Sequence, residues 1–129
     1  GPSDHPDFAE WLAAEGIVFK TGISIGTDAE WTAEKLRKDF DAPNAKFVLA
    51  TLGEATKGST GNGGKILEAQ LAVDGASGRY PEFKGNVATV YAHPLSKGGS
   101  GNSHYNGNAE TYMAVGEAMG QAMVGLLKQ

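Results

Sequence analysis

Apolar residues in this chain fall into short unbroken runs, separated by longer stretches where they recur every three or four positions. Ile17-Val18-Phe19, Phe47–Leu52 and Val87–Ala92 are the unbroken runs, rich in β-branched and aromatic residues, and they predict buried strands. The spaced stretches predict helices. Phe8, Trp11 and Leu12 form one apolar face behind the helix-start cluster Ser3–Asp7, with Gly16 as the stop. Thr27 and Glu30 form a capping box for a helix carrying Ala29, Ala33, Leu36 and Phe40, which Pro43 prevents from continuing. Ile66, Leu67, Ala69, Leu71 and Val73 mark a third helix, ending near Gly75. The last runs from Ala109 to about Leu127. Asn108 is its N-cap, Glu110 sits in its first turn, and Tyr112, Val115, Met119, Met123 and Leu126 recur at helical spacing. Gly116, Ala118, Gly120 and Ala122 leave room for that helix to approach a sheet closely.

The resulting order is α-β-α-β-α-β-α, with strands about 30 to 40 residues apart. Such alternation predicts parallel strands joined by right-handed helical crossovers. The expected fold is therefore α/β, a three-layer α/β/α arrangement on a short, mainly parallel sheet of about three strands. Residues 1–129 are read as a single domain, a length sufficient for one core. Three strands leave free edges, so self-association or a complementary chain is expected.

Composition narrows the partners. The net charge of −4 lacks the basic excess of a nucleic-acid surface, and no stretch reaches the roughly 18 to 20 apolar residues of a membrane span. With no cysteine there is no disulfide or thiolate metal site, and His5, His93 and His104 show no ligand spacing. No metal or cofactor is expected. No signal peptide is read in the sequence, and the leading Gly1-Pro2 pair reads as a protease-cleavage scar.

Chemistry is expected where loops leave the carboxyl ends of parallel strands. His104 lies in such a loop, between the last strand and the last helix, and could serve as a general base. Glu54 follows the second strand and is the candidate to orient its ring. Tyr105, Asn106 and Asn108 suit sugar hydroxyls and suit equally the fixing of their own loop. Gly22-Ile23-Ser24-Ile25-Gly26 fits the G-x-S-x-G nucleophile elbow, which needs glycines around a serine on a strained strand-to-helix turn. Ser24 is therefore a candidate nucleophile; a loop with two turn glycines is the plainer reading. Asp28 is a first-turn helix acid. Gly58–Lys65 fails as a phosphate loop, because Ser59 stands where the first glycine is needed and Ile66 follows the lysine; it reads as a mobile loop. His93, before Pro94, reads as structural, bonding its imidazole to loop backbone.

Three blocks carry a family resemblance: Leu36–Gly58 (LRKDFDAPNAKFVLATLGEATKG), Lys65–Tyr91 (KILEAQLAVDG and YPEFKGNVATVY), and His93–Gly120 (HPLSKGGSGNSHYNGNAETYMAVGEAMG). Together, from roughly Ala33 to Leu127, they resemble the second half of the sialate O-acetylesterase-like branch of the SGNH (GDSL-type) hydrolases. The resemblance implies an SGNH- or flavodoxin-like sheet and a serine hydrolase acting on acetylated carbohydrate, with His104 at the position of the catalytic base. It also implies a periplasmic or secreted bacterial setting. Two departures stand out. Gly101 occupies the position where the family places Asp, three residues before the histidine, and neither the Gly-Gln-Ser-Asn nor the Gln-Gly-Glu block occurs. The function expected is that of a carbohydrate O-acetyl esterase-like domain, complete or incomplete. The alternative is a non-catalytic truncated or engineered α/β module that folds or assembles without hydrolysing anything.

Overall fold

The computed structural model describes residues 33–97 and 104–129. Its elements, in order, are helix α1 (described over residues 33–39), strand β1 (Phe47–Ala50), helix α2 (Gly61–Ala72), strand β2 (Val87–Val90) and helix α3 (Ala109–Leu127). Short 3-10 turns at Pro81–Phe83, His93–Leu95 and Tyr105–Gly107 link them. β1 and β2 pair in parallel, Phe47 opposite Val87 through Ala50 opposite Val90, so the α/β class and the parallel pairing stand. The sheet has two strands among the described residues. The strand expected at Ile17, the helix before it and the Gly22–Gly26 turn lie outside them.

Both strands stop two residues earlier than their apolar runs, for one physical reason. Side chains take over the backbone groups that a ladder would use. The Leu52 N–H donates to Gln70 Oε1 at 3.0 Å, and the Ala92 N–H donates to the buried Thr51 hydroxyl at 2.9 Å. The outer edge of β2 is closed in the same way. Thr89 N–H donates to Asp74 Oδ1 at 2.8 Å, and Gly75 N–H donates to the Val87 carbonyl at 2.9 Å. Asp74 Oδ2 also receives the Ser77 N–H and hydroxyl. Burial works to raise the Asp74 carboxyl, but these hydrogen bonds outweigh it and hold the group below its ordinary 3.8.

The core gathers Val73, Phe83 and Val87, with Phe47, Leu49 and Tyr80 packed against them. Phe47, Leu49 and Val87 share one face by strand alternation and the register. The residues of β1 are half-buried rather than buried, and among the described residues β1 has one strand neighbour. α3 packs across both strands. It has the expected limits but not the expected inner face. Thr111, Val115 and Leu126 are its buried residues, while Gly116 and Gly120 meet nothing and Tyr112 is half exposed. α2 also departs from expectation, beginning at Gly61 rather than Ile66. The glycine-rich stretch is thus partly helix. Gly64 is required there, since a Cβ would stand 1.9 Å from the Ser59 carbonyl oxygen.

Candidate rim site

Gly53, the third residue past β1, joins three segments. It is buried, and a Cβ on it would stand 2.0 Å from Cε1 of Tyr105, so the tyrosine ring lies directly on its backbone. On another side its carbonyl faces His93 Nδ1 at 2.7 Å. The ends of β1 and β2 and the start of α3 therefore meet at one rim, beyond the carboxyl ends of both strands.

The turn that carries Tyr105 is tightly wound. Tyr105 and Asn106 take left-handed backbone angles (φ 50° and 53°), as does Gly107 (φ 70°). Such angles cost a non-glycine residue energy and hold only where surroundings enforce them. Here the Tyr105 ring stands edge-on to Tyr112, centroids 5.3 Å apart, and the Tyr112 hydroxyl donates to the His104 carbonyl at 3.0 Å. Burial raises the Tyr105 phenol above its ordinary 10.0, and the nearby negative charge of Glu54 raises it further. Glu54 thus lies within electrostatic range of the Tyr105 hydroxyl, and Tyr105 follows His104 in the chain. Glu54 and His104 are both exposed.

The expected polar contacts divide. Asn108 Oδ1 caps α3, accepting the Thr111 N–H and hydroxyl, each at 2.8 Å, so its carboxamide oxygen is engaged in holding the loop. Thr111 is fully buried, and its hydroxyl also receives the Lys97 N–H at 3.0 Å, tying the far side of the loop down. Asn106 is exposed beside His104, and Tyr105 is half-buried. Ser24 lies outside the described residues, as do Asp28 and Gly101.

His93 does bond its imidazole to loop backbone, as read from the sequence, but it lies on this rim and belongs to the candidate site. Tyr91 stacks beside it with centroids 6.4 Å apart, and the Lys57 ammonium stands 4.9 Å from the Tyr91 ring centre. The Lys57 N–H donates to the Tyr91 hydroxyl at 3.1 Å, pinning the loop after β1. The available sequence signal was a glycine closing one apolar run and a histidine closing the next.

Among the described residues no three His, Cys, Asp or Glu side chains gather as a metal site, and no helix is long and apolar enough to cross a membrane. No family model, curated protein or solved structure matches this chain.

Proposed function

We propose that this rim is the site of an ester hydrolase of the SGNH type, acting on acetyl esters of carbohydrate. In this reading His104 accepts the proton of the attacking hydroxyl, and Glu54 orients and stabilises the imidazolium that forms. Ser24 is the candidate nucleophile. The observation that carries the reading is the junction at Gly53, whose backbone bears the ring of Tyr105, the residue after His104, and directly precedes Glu54. The quoted sequence resemblance supports it from a separate direction, since it points to the same histidine. The rim lies where open parallel sheets bind their ligands. Exposed Tyr112 and Asn106 beside His104 offer an aromatic face and a carboxamide, the groups that suit a sugar ring.

The test is steady-state hydrolysis of p-nitrophenyl acetate and of an acetylated sugar. His104→Ala lowers kcat by about 10² to 10⁴-fold if it is the base. Ser24→Ala lowers it equally if serine and histidine act as one unit. Rates unchanged by His104→Ala contradict the assignment.

A second reading is favoured by different observations. Phe40 and Met113 are each 76% exposed and Leu127 64%, and the outer edge of β1 has no strand partner among the described residues. These features suit an α/β module that completes itself by assembly, with no chemistry of its own. Hydrolysis, or its absence, separates the two.

A further inference from the structure

His93 is better prepared for proton transfer than its place before a proline would indicate. A backbone carbonyl can only accept, so the 2.7 Å contact with the Gly53 oxygen puts the ring proton on Nδ1. The neutral ring then carries its lone pair on Nε2. Among the described residues no hydrogen bond reaches Nε2, and none of their buried side-chain nitrogens or oxygens lacks a partner. Nε2 is therefore open to solvent. Gly53 and Tyr91 restrain the ring from two directions, and the Lys57 cation stands one aromatic ring away. An imidazole with one nitrogen anchored to backbone and the other free is the arrangement that orients a base or ligand nitrogen.

We infer that His93 is a second general base on this rim, activating the water that attacks the acetyl ester left on the attacking hydroxyl after the first step; its substrate rests on the hydrolase reading above. Nε2 takes a proton from water as the water oxygen bonds to the acyl carbon. The bond from that carbon to the leaving oxygen then breaks, and the leaving group takes the proton from the imidazolium. The products are carboxylic acid and alcohol, and His93 returns to its starting state.

The decisive variant is His93→Asn. Asparagine Nδ2 takes the place of imidazole Nδ1 and keeps the donor to the Gly53 carbonyl, but nothing replaces Nε2. With the full chain and p-nitrophenyl acetate, His93→Asn is expected to lower kcat by about 10²-fold while the thermal midpoint stays that of the wild type. An unchanged kcat overturns the role of His93 and leaves the hydrolase reading standing. A wild-type chain that hydrolyses nothing overturns the hydrolase reading and, with it, this role. Should His93→Asn fail to fold, diethyl pyrocarbonate treatment of the wild type with peptide mapping gives the answer. Loss of turnover in step with modification of His93, reversed by hydroxylamine, supports the inference; full turnover with His93 modified overturns it.

Discussion

Gly53 shapes the rim by having no side chain. Its backbone holds the Tyr105 ring on one side and the His93 imidazole on the other, so three loops depend on one missing methyl group. Gly53→Ala is expected to force the ring aside and cost about 1 to 3 kcal/mol, the usual penalty of overpacking, measured as a lower urea midpoint at unchanged slope. Asp74 is the comparable residue at the far end of β2. Asp74→Ala leaves the Thr89 N–H without its acceptor, at about 1 to 3 kcal/mol. Because the native carboxyl lies below its ordinary value, its contribution is present above about pH 4 and is lost as pH falls through the native value. Acid titration of stability should therefore show a steeper decline for the wild type than for Asp74→Asn. An equal slope would show that the carboxylate is no better held in the folded chain than in the unfolded one.

The elements differ in how openly the sequence displays them. The limits of α3 were legible because Asn108 and Glu110 are unambiguous start signals, and the Asn108 cap is made. Asn108→Ala should cost about 0.5 to 2 kcal/mol and loosen the His104 turn, seen as a drop in both thermal midpoint and helical circular dichroism. The inner face of α3 was not legible, because small residues fit a close approach and open solvent equally well. Gly116 and Gly120 meet solvent, while the buried positions include Thr111, a polar residue that periodicity ignores. Strand ends were overrun because the sequence does not reveal that Thr51 and Gln70 side chains will take backbone groups from the ladder. The start of α2 was hidden by four residues holding three glycines, which read as loop until tertiary contact overrides propensity. In the rim itself, the strand-end position of Glu54 was legible from the alternation of elements. The part of His93 was not, since its value comes from a carbonyl 40 residues away.

At the scale of the molecule, the described residues supply two parallel strands with helices around them, and sheets of two strands are marginal alone. The outer edge of β2 is closed by Asp74 and Gly75, which leaves the outer edge of β1 as the place for another strand. Exposed Phe40, Met113 and Leu127 add apolar surface to the same need. Sedimentation at micromolar concentration is expected to show association. A clean monomer would contradict the need for a partner. We propose that the rim around Gly53 is a site of chemistry and not only a junction of loops. It is tested most directly by acetate release from p-nitrophenyl acetate by the wild-type chain between about pH 6 and 9, where a neutral histidine can act as base. Turnover well beyond one acetyl group per chain is the expected result. No release above the buffer rate anywhere in that range would contradict a catalytic rim.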